Sequence, residues 1–215
     1  QRPSPEIGGM FKRHWWRYWK PAGSRLGAVA VKQPDGTIRN YEPVELPPLD
    51  EELHSWDMAY RDLKESDFVV GQHWGRSGAN KFLLHLVKGQ WDFARTANEF
   101  KAFVERYPAP AKLVENAANG PAIIWALQEK IPGIIPVVPM GNKESRAAAC
   151  SPQVEAGNVL LPRPALPGAD WVAAFIDECA QFPAGVHDGQ WDAMSQALAR
   201  MSQGEVYRLL PEFGA

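Results

Sequence analysis

The apolar and polar positions divide the chain into a run of short strands followed by alternating helices and strands. In the stretch 53–60, Trp56, Met58 and Tyr60 fall on one side and Ser55, Asp57 and Ala59 on the other, the period of a half-buried strand. A polar stretch over 61–66 leads to a second strand over 67–75. The turn Arg76-Ser77-Gly78-Ala79-Asn80 leads to a third over 81–91. Connections this short predict an antiparallel meander. Beyond it the pattern predicts helix over 96–107, strand over 112–116, helix over 120–130 and strand over 133–139. Residues 143–157 read as mostly helical, 158–162 as a brief strand, and 169–182 and 188–203 as helices. Upstream, 10–20 reads as a short aromatic-rich helix and 29–44 as a hairpin about Pro34-Asp35-Gly36. Residues 1–9 read as a linker cut from a longer polypeptide. The expected organisation is an N-terminal part over 1–50, a main domain over 51–207 and a tail over 208–215.

Three antiparallel strands followed by alternating helix and strand give an α/β fold with a mixed sheet flanked by helices, the ribonuclease H-like arrangement. In such a sheet the ends of neighbouring central strands lie side by side. Asp57 on the first strand and Glu115 at the end of the fourth are expected to face each other.

The last helix carries a second acidic feature. Trp191, Met194, Leu198 and Met201 form its core stripe, and Asp188, Asp192, Ser195 and Ala199 fall on a face roughly 110° away at 3.6 residues per turn. Asp188 also suits an N-cap. Acids at i and i+4 repel by a few tenths of a kcal/mol in an exposed helix, and a bound cation reverses that sign. Brought together by the fold, Asp57, Glu115 and Asp188, with Asp192 in support, are expected to form an oxygen-only donor set for two Mg²⁺ or Mn²⁺ ions, the apparatus of phosphodiester hydrolysis.

Composition narrows the alternatives. The 215 residues are 45% hydrophobic and 22% charged with a formal net charge of −2, so the chain is globular and any polyanion must meet a local basic patch or metal ions. The five histidines lack zinc spacing. No Gly-x-Ser-x-Gly elbow or Gly-x4-Gly-Lys-Ser/Thr loop occurs, which disfavours a serine hydrolase and ATP hydrolysis by this segment. Cys150 and Cys179 read as reduced core residues, and no apolar run predicts a membrane span. Arg61, Lys64, Arg76, Lys81, Lys143 and Arg146 are expected on the rim of the acidic centre as phosphate contacts. His187 either assists the leaving group or is structural. The tryptophans of 14–19 read as packing.

Several long motifs resemble the C-terminal nuclease domain of the large terminase subunit of tailed bacteriophages and prophages. They are SWDMAYRDLKESDFVVGQHWGRSGANKFLL, VENAANGPAII, GNKESRAAA with EAGNVLLP, and HDGQWDAMSQAL. The resemblance covers nearly all of the chain from about residue 51, and the first twenty residues resemble the connector after the ATPase domain. It implies a metal-dependent endonuclease that cuts double-stranded concatemeric viral DNA during packaging, in the host cytoplasm. The implied partners are the ATPase domain, the small terminase subunit and the portal protein. Asp57, Glu115 and Asp188 match the family's acids. Many relatives have a second Asp where Gly189 stands and an Asp where Asn116 stands, and Asp192, one turn on, is the substitute. A resolvase or transposase core of the same fold, and a docking module with a degenerate metal site, remain as alternatives.

Overall fold

The computed structural model describes residues 9–58, 68–117 and 120–207, with side chains to residue 202. Its first element departs from the expected helix over 10–20. Arg13–Trp15 form one 3-10 turn, and Arg17–Lys20 form a strand, β1. The reason is two-sided burial. Trp16 and Tyr18 pack into one core and Trp19 into another, an alternation that a strand supplies and a helix does not. The Trp19 indole donates to the Leu83 carbonyl at 2.9 Å, fixing the segment to the sheet.

The hairpin follows as expected, with β2 (Val29–Lys32) antiparallel to β3 (Ile38–Tyr41), and then β4 (Val44–Glu45). The meander comprises β5 (Glu51–Asp57), β6 (Val69–Ser77) and β7 (Asn80–Gly89). After it come α1 (Phe93–Arg106), β8 (Ala111–Glu115), α2 (Gly120–Leu127), β9 (Ile134–Val137) and α3 (Lys143–Glu155). The chain ends with β10 (Val159–Pro162), α4 (Val172–Gln181) and α5 (Gly189–Tyr207).

Among the described residues eight strands form one mixed sheet in the order β4-β1-β10-β7-β6-β5-β8-β9. Antiparallel pairing is confined to β6 with its neighbours β5 and β7, and the remaining pairs are parallel. Because β1 and β4 join through β10, the sheet begins upstream of residue 51. Helices cover both faces. Leu53, Trp74, Leu83 and Leu113 pack against α3, α4 and α5, and Trp56, Val69 and Val114 against α1 and α2. Each large side chain so buried stabilises the fold by about 1.5–3 kcal/mol. No helix among the described residues is long and apolar enough to cross a membrane.

Candidate metal centre

Strand alternation sets the acidic site. In β5, Leu53 and Ser55 turn toward α5, where the Ser55 hydroxyl donates to the Ala193 carbonyl at 2.7 Å, and Trp56 turns toward α1. Asp57 therefore takes the α5 side. In β8, Leu113 belongs to the α5-side core and Val114 to the other, so Glu115 follows Leu113. The two strands are parallel with Trp56 opposite Val114, which places Asp57 beside Glu115 at their C-terminal ends. The two carboxyl groups are near enough for the charge of Glu115 to oppose ionisation of Asp57. Burial, then the charges of Glu115 and Asp192, push the Asp57 carboxyl well above the ordinary range, and Lys143 offsets only part of this.

The first turn of α5 delivers the other acids. Trp191, Met194, Leu198 and Met201 are fully buried, as the periodicity predicts, and this turns Asp192 inward, 7% exposed. Asp188 precedes the helix, and its carbonyl accepts from Asp192 N at 2.9 Å. Glu178 of α4 locks the helix start. It accepts from Gln190 N at 2.7 Å, Gln190 Nε2 at 2.5 Å and Lys88 Nζ at 2.7 Å. From the sheet side Gln72 Nε2 donates to the Gln190 carbonyl at 2.6 Å. Sequence reading missed Glu178. The available signal was a carboxylate among the buried positions Phe175 and Cys179 of an apolar helix.

Lys143 and Arg146 reach the same acids from α3. Lys143 Nζ lies 2.5 Å from Asp188 Oδ2 and 2.9 Å from Asp192 Oδ2, and Arg146 Nη2 lies 2.5 Å from Asp192 Oδ1. Both therefore sit at the acidic centre, bonded to its carboxylates. Arg76 and Lys81 do not. They pair across β6 and β7 beside Glu51, six residues along β6 from Val70, the partner of Asp57, or about 20 Å at strand spacing. Arg76 is buried against Glu51, at 3.2 Å, and Asp50, at 3.9 Å, so the rim role expected of it and of Lys81 is corrected. Arg61 and Lys64 lie outside the described residues. The exposed His187 ring packs edge-on against Phe68 at 5.1 Å. A cavity of about 550 Å³ opens beside the acids and is lined by Glu115, Asp192, Arg146, Ser195 and Met140 among others.

Among the described residues no group of three or more His, Cys, Asp or Glu is gathered in metal-binding geometry. The donor chemistry nevertheless suits a hard divalent cation, which takes oxygen ligands. Asp57 is a crowded carboxyl whose ionisation the neighbouring acids oppose, the setting in which a cation is most stabilising.

Comparison with solved structures identifies the architecture. The large terminase nuclease from thermophilic phage G20c with bound magnesium aligns at a TM-score of 0.59 and 14% identity over 90% of this chain and 98% of that one. The fold is that of a large terminase nuclease. Its zinc-bound form aligns at 0.58 with 16% identity over 89% of this chain and 98% of that one. The large terminase of thermophilic bacteriophage D6E aligns at 0.52 with 11% identity, over 70% of this chain and 39% of that one. The chain thus spans well under half of the D6E protein and nearly all of the G20c nuclease. No family model and no curated protein matches. The terminase-nuclease fold carries the expected ribonuclease H-like mixed sheet, with Asp57 and Glu115 at adjacent strand ends.

Proposed function

We propose that the chain is a divalent-cation-dependent endonuclease domain acting on double-stranded DNA, with little sequence specificity. The observation that carries this reading is the adjacency of Asp57 and Glu115 at the C-terminal ends of two neighbouring parallel strands, with Asp192 of α5 close enough to act on Asp57 by charge, in a fold shared with large terminase nucleases. Asp57 and Glu115 would hold one Mg²⁺ or Mn²⁺, and Asp188 and Asp192 a second. Such ions lower the pKa of bound water and stabilise the leaving oxygen of a phosphodiester.

The protein's own contribution is placement. Parallel pairing of β5 and β8 fixes Asp57 against Glu115, and the Glu178–Gln190 bonds fix the helix that presents Asp188 and Asp192. Lys143 and Arg146 are engaged by Asp188 and Asp192 and would lend positive charge to a phosphate only where those acids pass to a metal ion. The large terminase fold supports a role in cutting concatemeric DNA during genome packaging in the host cytoplasm. The corresponding partners are an ATPase domain in a longer chain, a small terminase subunit and a portal.

Plasmid digestion with Mg²⁺ or Mn²⁺ tests the reading. Nicking and linearisation that require the metal and disappear in Asp57→Ala are expected. Full activity in Asp57→Ala would reject the assignment, and preference for four-way junctions or transposon ends would move it to another ribonuclease H-like nuclease.

A further inference from the structure

The four carboxylates are neutralised unevenly. Asp57 and Glu115 lie side by side at adjacent strand ends, whereas both oxygens of Asp192 are taken by protein cations, Oδ2 by Lys143 and Oδ1 by Arg146. Lys143 also holds Asp188 Oδ2 at 2.5 Å and so bridges Asp188, just before α5, and Asp192, within it.

This bridge is built into the helix. Lys143, Arg146, Ala147 and Cys150 fall at i, i+3, i+4 and i+7, one face of α3. Ala147 and Cys150 are buried in the core shared with α5. Upstream, Gly141 takes the left-handed conformation (φ 73°), and the Asn142 side chain caps the helix through Ser145 N at 2.7 Å. The start of α3 is thereby aimed at Asp188 and Asp192. A lysine ammonium and a divalent cation need the same oxygen lone pairs, so the two exclude each other there.

We propose that Lys143 occupies the place of the second divalent cation between Asp188 and Asp192, so that the DNA-free chain holds one ion, at Asp57 and Glu115. This rests on the metal-dependent reading above and sharpens it. The Lys143 side chain is 49% exposed, so its replacement leaves the core packing intact.

The test is a Mn²⁺ titration of the 215-residue chain, with bound ions counted by calorimetry and by the electron paramagnetic resonance signal of free Mn²⁺. Wild type and Lys143→Arg are expected to bind one ion per chain and Lys143→Met two, with circular dichroism verifying that all three are folded. Two ions in wild type, or one in Lys143→Met, would overturn the proposal and leave the nuclease reading standing. No binding by wild type and Lys143→Met alike would remove the metal-dependent reading and this proposal with it.

Discussion

Gly189 lies so close to Asp57 that a Cβ on the glycine would stand 2.8 Å from Asp57 Oδ2 and 3.3 Å from Val70 Cγ2. The missing side chain lets α5 begin directly over the strand end. Gly189→Ala gains about 0.8–1 kcal/mol of helix propensity and must displace the Asp57 carboxylate to do so. Denaturant unfolding is expected to change by less than about 1 kcal/mol, while Mn²⁺ affinity falls roughly tenfold, equivalent to about 1.4 kcal/mol. An unaltered Mn²⁺ affinity would show that the helix start does not set the position of Asp57.

Asp57 is held among acids that oppose its ionisation. Asp57→Asn removes that repulsion, so the metal-free protein is expected to gain stability while cleavage is lost, the trade that destabilised active sites make. A gain of about 2–4 °C in the unfolding midpoint corresponds to roughly 1 kcal/mol in a domain of this size. Mn²⁺ should raise the midpoint of wild type, because binding to the folded state alone stabilises it, and leave Asp57→Asn unmoved. Calorimetric scans with and without Mn²⁺ decide both points.

Local alternation and periodicity made the meander, the helix–strand order and the buried stripe of α5 legible in the sequence. These patterns record which residues face a core, and Trp56, Met194 and Leu198 do. The pairing of Asp57 with Glu115 was also legible, since strand order places adjacent ends together. Residues 10–20 were misread because an aromatic segment buried on both sides has no period to separate strand from helix. Arg76 and Lys81 were misplaced because proximity in sequence to the meander does not say at which end of the sheet a hairpin turn lies. The direction of β6 puts that turn at the far end. Lys143 was expected to contact phosphate. Its attachment to Asp188 and Asp192 depends on how α3 packs on α5, which spacing within one helix does not encode.

Glu178 holds the start of α5 through three hydrogen bonds, and its side chain is 7% exposed. Glu178→Ala would leave Gln190 N and Lys88 Nζ without this acceptor, a loss of about 1–3 kcal/mol by the usual cost of an unsatisfied buried donor. Activity is expected to fall further than stability explains, because Asp188 and Asp192 ride on the helix start. Glu178→Gln keeps a carbonyl acceptor and should recover most of the stability. Comparison of the two variants by denaturation and by plasmid digestion separates positioning from folding. Equal loss of activity in both, with stability restored in the Gln variant, would point to the charge itself.

His54, His73 and His85 stand opposite one another on β5, β6 and β7, beneath Tyr107, whose ring stacks on His85 at 3.7 Å. Burial is the largest cause that lowers each of them. His54 falls to about 4 although its bond to the Tyr107 carbonyl resists, His73 to about 3 with its neighbours His54 and His85 adding repulsion, and His85 to about 4 beside Arg106. His73 Nε2 stands 2.9 Å from Glu52 Oε2 but off the direction of a hydrogen bond, leaving both ring nitrogens without an aligned partner. All three pKa values are depressed in the folded state, so the unfolded chain binds more protons as pH falls below about 6.5. The histidine contribution to stability is therefore expected to decline from about pH 6.5 toward pH 4, at up to about 1.4 kcal/mol per pKa unit for each ring, while the raised Asp57 carboxyl works in the opposite direction as it takes up its proton. His73→Gln, which cannot take up a proton, should flatten that slope. Urea unfolding at pH 7, 6 and 5 measures it, and an identical slope in the two proteins would show that His73 is not its source.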